Sequence, residues 1–477
     1  PGRSLLETHV PTLLYRGLFE ADGKSLDEVY NYAPFRQSKM FVAGVSCSDC
    51  HDPHSLKLRA EGDGVCLQCH DGAKFAAVSH HHHAEGSAGS RCVSCHMPVK
   101  TYMEVDPRHD HAFRIPRPDE SIRFGTSNAC NDCHADKDAA WAAATIERWY
   151  GPHRKGFQTW TGTFDAARTG KPEAAALLVQ LALSTAAPSI ARATALESLA
   201  DFPSRDAVAA AQRALADPDP LVRLAALRTL RPYGAANIRP LAGRLLADPV
   251  LAVRIEAASL LADLPQERLS PQEGNRLARA IDDYVTAQRV NADRPEHRVN
   301  LGSLNLRQQR YAEAEAEFRA AARLDPAFAP ATVGLAELYA QQSRDGDGER
   351  VLRTALARTP DSAELRHALG LNLVRQRRTA DALPELGRAA ALDPATTRYT
   401  YVYAVALNSA GRSNEAITAL ETAYARRPAD REILLALATI NRDAGHREAA
   451  LRWAERLLAI DPSAQPLVEQ LRQTPVR

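Results

Sequence analysis

The chain has 477 residues, which is the length of about three ordinary domains. Apolar residues make up 45% of the sequence and charged residues 25%, as in most globular proteins. The net charge of +1 points neither to nucleic acid nor to an anionic membrane surface as a partner. No apolar run approaches the ~18 residues that a transmembrane helix needs. Because the sequence starts at Pro1 without a signal peptide, we expect a processed mature form or a fragment.

The first third of the chain holds all eight cysteines, arranged as four C-x-x-C pairs. The pairs are Cys47 with Cys50, Cys66 with Cys69, Cys92 with Cys95, and Cys130 with Cys133. Each pair is followed at once by a histidine, namely His51, His70, His96 or His134. In C-x-x-C-H, two thioethers hold a porphyrin and the histidine binds its iron from below. The sequence therefore predicts four covalently attached haem c groups with these four proximal ligands.

Three other uses of paired cysteines are zinc sites, disulfide frameworks and thioredoxin-like redox motifs. None of them requires a histidine directly after every pair, so we favour haem. Haem c is attached outside the bacterial cytoplasm, so we expect an exported protein that is periplasmic, extracellular or bound to the cell surface. No cysteine is left over to mispair in such an oxidising compartment.

The predicted haem domain covers residues 1–155. It contains 13 of the 16 histidines and all three methionines. Successive motifs start only 19, 26 and 38 residues apart, so we expect the porphyrins to supply much of the core. The segment reads as loops with short helices, apart from a clearer helix from about Lys137 to Tyr150, which Gly151 and Pro152 close.

The sixth iron ligands have to come from elsewhere in the chain. The histidines outside the motifs outnumber the methionines threefold in this domain, so the default is bis-histidine ligation for most haems. The distal candidates are His9, His54, His80, His81, His83 and His111. His54 lies too close to His51 to bind the opposite face of the same haem, so it reaches a neighbouring haem or stays solvated. We expect at least one histidine of the run 80–83 to be a ligand, and the sequence does not say which.

Other side chains near the motifs are expected to be structural or exposed. Met97 directly follows His96 and lies too close to the proximal side of that haem to serve it distally. His109 and His153 are interpreted as surface residues.

Residues 156–170 are predicted to form a linker, followed by HEAT-like helical repeats over 171–290. Equivalent residues recur 31 positions apart, as in Arg192, Arg223 and Arg254. Two of the units open with an Asp-Pro pair. An irregular helical bundle with chance similarity is the alternative.

From about residue 291 the period becomes 34. Prolines recur at this spacing at Pro326, Pro360, Pro394, Pro428 and Pro462. Small residues recur at Ala314, Gly348, Ala382, Ala416 and Ala450, and at Ala321, Ala355, Ala389 and Ala423. This pattern is typical of tetratricopeptide repeats, in which small residues let paired helices cross closely. We predict five repeats over 291–477 and a capping helix over about 463–473, so the fold class is mainly α.

Several stretches resemble a family of exported multihaem cytochromes that joins a doubled-CxxCH module to helical and tetratricopeptide repeats. The resemblance rests on residues 37–40 (QSKM), 47–55 (CSDCHDPHS), 92–98 (CVSCHMP), 110–114 (DHAFR) and 128–134 (NACNDCH). It implies an exported redox protein and supplies no substrate. Family members typically carry a further haem region before this one, so His9 or a spare histidine of the run 80–83 is also a candidate ligand for a haem outside this chain.

We therefore expect electron transfer through four closely packed haems. The repeats would dock redox partner proteins or mediate self-association, including filament formation. An alternative is an oxidoreductase that acts on a small nitrogen or sulfur compound at a five-coordinate haem, and a third reading makes the repeats the functional part. No C-x-x-C-Lys motif is present, and distal candidates are plentiful, so electron transfer is favoured over catalysis.

Overall fold

The computed structural model describes residues 4–153 and 156–473. The chain is mainly helical, as predicted. It divides into two compact units. The first holds the chain up to Arg168 together with Glu173–Thr229, and the second holds Thr169–Pro172 and the chain from Leu230 onward. No helix in the described ranges has both the length and the apolar composition needed to cross a bilayer.

The cysteine-rich segment of the first unit consists of loops and short helices. Its helices are Leu5–Glu7, Tyr32–Phe35, Lys39–Val42, Cys47–Cys50, Gly64–Leu67, Gly72–Phe75, Val78–His81, Ala88–Ser90, Cys92–His96, Pro118–Phe124, Ala129–Cys133 and Ala139–Tyr150. Two antiparallel strands, Val99–Tyr102 and Asp106–His109, form a hairpin with Val99 opposite His109. The longest helix begins where the Asp138 carboxylate accepts a hydrogen bond from the Trp141 amide at 2.8 Å. It ends at Gly151, whose φ of +80° suits glycine.

The middle of this segment has no protein core of its own. No residue from Lys39 to Thr101 is buried, although the stretch contains three of the four C-x-x-C-H motifs. Large apolar side chains are instead exposed here, namely Val42, Leu56, Leu58, Leu67, Val78 and Val99. Side chains of this kind normally pack against other apolar groups, so this stretch offers a surface suited to an apolar partner.

The prediction of a linker over residues 156–170 is wrong. Thr161–Thr169 is a helix, and the side chains of Trp160 and Phe164 are almost fully buried. The Trp160 indole donates a hydrogen bond to the Asp22 carbonyl at 3.0 Å. The Arg168 guanidinium donates to the Phe19 carbonyl, also at 3.0 Å. Glycines and threonines gave the stretch the composition of a loop, but Trp160 and Arg168 bind it to the N-terminal segment.

The 31-residue pattern corresponds to helices with a repeated polar anchor. The first unit contains the helices Ala174–Leu183, Ser189–Ser198, Leu199–Asp201, Arg205–Ala214 and Pro220–Thr229. The second contains Arg231–Tyr233, Ala235–Ala242, Gly243–Ala247, Leu251–Leu261, Gln266–Arg268 and Pro271–Val290. Arg223 donates to the Asp217 carbonyl at 2.8 Å, and Arg254 donates to the Asp248 carbonyl at 2.8 Å. Each arginine thus closes the turn that its own Asp-Pro pair begins.

The compact units do not follow the predicted boundary between the haem domain and the first repeats. Arg36 forms an ion pair with Asp219 at 2.8 Å, and the Leu14 amide donates to the Thr194 hydroxyl at 3.1 Å. These contacts join the N-terminal segment to the helices up to Thr229.

Five helix pairs and a last helix form the rest of the second unit. The pairs are Pro295–Arg307 with Tyr311–Leu324, Ala329–Gln341 with Asp345–Leu356, Ala363–Arg375 with Thr379–Leu392, Thr397–Ser409 with Ser413–Arg426, and Arg431–Asp443 with Arg447–Ile460. A short turn, Pro462–Ala464, leads into Gln465–Gln473 at the predicted position of the cap. The predicted small positions are all buried. An added Cβ at Gly348 would lie 2.8 Å from the Asn372 amide nitrogen, which shows how closely the helices cross.

Replacing a small crossing residue should destabilise the repeats. Ala382 is fully buried, so Ala382→Leu has to push the crossing helices apart, at a cost of about 1–3 kcal/mol. Ala380 lies exposed on the same helix, so Ala380→Leu is the matched control and should change stability little. Urea unfolding followed by circular dichroism measures both. Equal effects of the two variants would contradict the packing described here.

One repeat histidine should make stability depend on pH. Burial, with a smaller effect of Arg398, lowers the pKa of His367 from 6.5 to about 4. Its ring packs 4.7 Å from that of Tyr399. The unfolded chain therefore binds a proton before the folded chain does, and stability should fall as the pH drops from 6.5 towards 4. Thermal unfolding at several pH values should show a smaller loss in His367→Phe, and an unchanged pH profile would contradict this assignment.

Candidate functional site

Each of the four motifs includes a short helix, and a polar side chain caps the helices of the first and fourth motifs. At the first motif, the Ser46 amide donates to the Asp49 carboxylate at 2.7 Å, which starts the helix Cys47–Cys50. At the fourth, the Asn128 side chain accepts from the Asn131 amide at 3.3 Å and starts Ala129–Cys133. The first, third and fourth C-x-x-C pairs each lie within one short helix, while Cys69 of the second pair lies in the turn after the helix Gly64–Leu67.

Each motif has a cysteine that lies close in space to a cysteine of the next motif along the chain. Cys50 lies near Cys69, Cys66 is in hydrogen-bond contact with Cys92, and Cys95 lies near Cys130 and Cys133. Burial, followed by the nearby Asp63, raises the pKa of the Cys92 thiol to about 12. Asp63 also accepts a hydrogen bond from the Cys92 amide at 3.1 Å, which holds the second and third motifs together.

Three of the four motif histidines face a second histidine. The ring centroids of His51 and His111 are 6.4 Å apart, with 28° between their planes. Those of His96 and His80 are 6.1 Å apart with 13° between planes. Those of His134 and His83 are 6.3 Å apart with 36° between planes. His70 instead has Phe75 as its ring neighbour, edge-on at 5.5 Å.

The separation of these rings fits an iron atom between them. Each metal–imidazole bond is about 2 Å long, and each ring centre lies about 1 Å beyond its nitrogen, so two axial imidazoles have centroids about 6 Å apart. A direct ring stack would be closer, as in His82 on Trp149 at 4.4 Å. The exposed apolar side chains and missing core of residues 39–101 also fit porphyrins covering this region.

Hydrogen bonds fix the orientation of several of these rings. Nδ1 lies within hydrogen-bond distance of a backbone carbonyl in four of them: His51 with Leu56 at 3.0 Å, His96 with Arg114 at 2.8 Å, His111 with His109 at 2.8 Å, and His83 with His81 at 2.5 Å. A donating Nδ1–H leaves Nε2 as the metal-binding nitrogen. Burial also lowers the pKa values of His80, His96 and His111, which favours the neutral form that a metal requires.

A buried polar cluster positions the loop that carries His111. Asp110 accepts hydrogen bonds from the Ala112 amide at 2.7 Å and the Ser25 amide at 3.2 Å. Gln158 donates to the Ala112 carbonyl at 2.7 Å. The Arg114 guanidinium donates to the carbonyl of Asp22, which also accepts from the indole of Trp160. The loop is thus held both by the N-terminal segment and by the residues predicted to be a linker.

Burial alone would raise the pKa of Asp22, but Arg114 and Lys24 hold it below its ordinary value. Asp22 therefore stays ionised within the cluster. Asp22, Gln158 and Trp160 were missed by the sequence analysis, since nothing local marks residues whose partners lie far away in the chain.

The histidine run divides between two motifs. His80 faces His96 and His83 faces His134, while His82 between them has φ of +56° and stacks on Trp149. The His81 Nδ1 accepts a hydrogen bond from the His83 amide at 3.2 Å, which leaves the proton on its Nε2. Among the described residues, His9, His54 and His81 form no ring pair with a motif histidine.

Three known families match three separate parts of the chain. The doubled CXXCH motif family matches residues 40–75, which contain the first two motifs. The paired motif indicates binding of c-type haem. HEAT repeats match residues 175–262, and tetratricopeptide repeats match residues 293–463. The chain therefore combines haem binding with two kinds of repeat that form protein-interaction surfaces.

Similar solved structures are tetratricopeptide-repeat proteins. YrrB, described as a repeat protein with an unusual peptide-binding site, is 21% identical, covering 40% of this chain and 97% of its own, with a TM-score of 0.31. PilF of Pseudomonas aeruginosa is 19% identical, covering 39% of this chain and 85% of its own, with a TM-score of 0.33. MamA is 17% identical, covering 38% of this chain and 98% of its own, with a TM-score of 0.30. No curated protein matches the chain.

The left-handed backbone at His82 should matter for the whole histidine run. A β-branched residue is strained in this conformation by about 1–2 kcal/mol, whereas asparagine adopts it readily. Both His82→Val and His82→Asn remove the stacking on Trp149, so they differ chiefly in backbone strain. We expect the valine variant of the haem-loaded protein to unfold at a lower denaturant concentration than the asparagine variant. Equal midpoints would contradict this geometry.

Proposed function

We propose that this chain is a four-haem c-type cytochrome that transfers electrons. The four C-x-x-C pairs attach the haems, and His51, His70, His96 and His134 bind the four irons on the proximal side. The single observation that carries the proposal is that three motif histidines each face another histidine across the width of an iron atom. Cysteine pairs that form disulfides do not require pairs of histidine rings at this separation.

The facing histidines are proposed as the distal ligands. His111 pairs with His51, His80 with His96, and His83 with His134. In His111 and His83, Nδ1 is hydrogen-bonded to a backbone carbonyl, which leaves Nε2 as the nitrogen that would bind the iron. With both axial positions filled by the chain, three irons would exchange electrons without binding substrate, which favours electron transfer over catalysis at these sites.

The order of the cysteines supports a path through the haems in sequence order. Each bound haem supplies a one-electron redox centre. Contacts between cysteines of the first and second, second and third, and third and fourth motifs would bring the edges of successive haems close together. Asp63 maintains the middle contact through the Cys92 amide. Electrons would therefore enter and leave at the first and fourth haems.

The repeats are proposed to dock the redox partners. Helical repeats present extended surfaces, and in this chain they follow the haem segment directly. Other cytochromes, or further copies of this chain assembling into a filament, are the proposed partners. The protein is proposed to be exported to the periplasm or the cell surface, because haem c is attached outside the cytoplasm.

Removing one distal histidine tests the proposed ligation. In His111→Ala, the iron held by His51 should lose its sixth ligand, so one further haem per chain should become high-spin in the ferric electron paramagnetic resonance spectrum. The pyridine haemochrome assay should still report four haems.

His54→Ala is the matched control, since His54 lies on the exposed turn three residues after His51. It should leave the spectrum unchanged. A spectrum unchanged in His111→Ala would contradict the proposed pair, as would a new high-spin signal in the control.

A further inference from the structure

His70 differs from the other three motif histidines in its surroundings. Its ring is exposed, and its described ring neighbour is Phe75, edge-on at 5.5 Å and 84°. Phe75 also stands edge-on to His80 at 5.3 Å, so its ring contacts both His70 and His80. A phenyl ring offers iron no ligand atom.

The spare histidines near the motifs are engaged elsewhere or lie on exposed segments. His82 stacks on Trp149. Among the described residues, neither His109 nor His9 forms a ring pair with His70, whose ring neighbour is Phe75. His54 and His153 are exposed.

The tautomer of His81 excludes it as a second ligand of the iron bound by His70. Its Nδ1 accepts the His83 amide hydrogen, so its Nε2 carries the proton and has no lone pair for a metal. Two other histidines of the run, His80 and His83, already face His96 and His134.

We infer that the iron bound by His70 keeps an open sixth position and binds a small exogenous ligand there. This inference rests on the proposed function, because it requires haem at Cys66 and Cys69. Diatomic molecules such as carbon monoxide would bind the ferrous iron, and small anions such as cyanide would bind the ferric iron. The chain would thus combine three electron-transfer haems with one ligand-binding haem, in second place along the proposed path.

The position of Cys66 gives such a site a direct electron supply. Cys66 contacts Cys92 of the third motif, and Cys69 lies near Cys50 of the first. The proposed ligand-binding haem therefore has a six-coordinate neighbour on each side. A ligand bound there would change the potential of a haem in the middle of the path, so ligand binding and electron flow would be coupled.

Titration of the fully loaded protein with carbon monoxide tests the inference. After reduction with dithionite, we expect the optical difference spectrum to saturate at one carbon monoxide per four haems, and the oxidised protein to show one high-spin haem per chain. Four low-spin haems that bind no carbon monoxide would overturn the inference and leave the proposed function standing. Absence of covalent haem would overturn the proposed function itself.

A matched pair of variants assigns the site. Replacing Cys66 and Cys69 with serine should remove one haem and abolish carbon monoxide binding. Replacing Cys130 and Cys133 should also remove one haem but keep the binding. Carbon monoxide binding that survives the first replacement would overturn the assignment to His70. His111→Ala supplies a readout with all cysteines intact, and its stoichiometry should rise to two carbon monoxide molecules per chain.

Discussion

The structure depends on one constraint, which is that the stretch from Lys39 to Thr101 has no protein core. A chain of this length without buried side chains does not order itself by the hydrophobic effect, because too little apolar surface leaves water to offset the loss of conformational entropy. Attached porphyrins would supply the missing apolar contacts, and the exposed Val42 and Leu56 are placed to receive them. Folding of this stretch and attachment of haem are therefore expected to be one event.

The rings of His111 and His96 are oriented by residues outside that stretch. The loop that carries His111 is held by Asp110, Gln158 and the Arg114–Asp22 contact, all of which lie outside residues 39–101. The Arg114 carbonyl also lies 2.8 Å from the Nδ1 of His96. One buried cluster thus orients rings of two different histidine pairs, which explains why the segment around Trp160 has to be ordered rather than a flexible linker.

The sequence was informative where the signal is local or periodic. The C-x-x-C-H spacing, the helix ending at Gly151 and the buried small residues such as Ala382 all follow from neighbours close in sequence or from a fixed repeat. The sequence did not show which histidines of the run 80–83 face a motif histidine. The left-handed turn at His82, which separates His80 from His83, cannot be predicted from the sequence. The linker prediction failed because burial of Trp160 depends on Asp22, far away in the chain.

The most direct test of four covalent haems is the intact mass of the protein produced in cells that attach haem c, measured before and after treatment with a thiol-alkylating reagent. The account predicts a mass increased by four haems and no reaction with the reagent, because all eight cysteines are thioethers. A mass that corresponds to the bare chain, with thiols that react, would contradict the account, and so would a full set of disulfides.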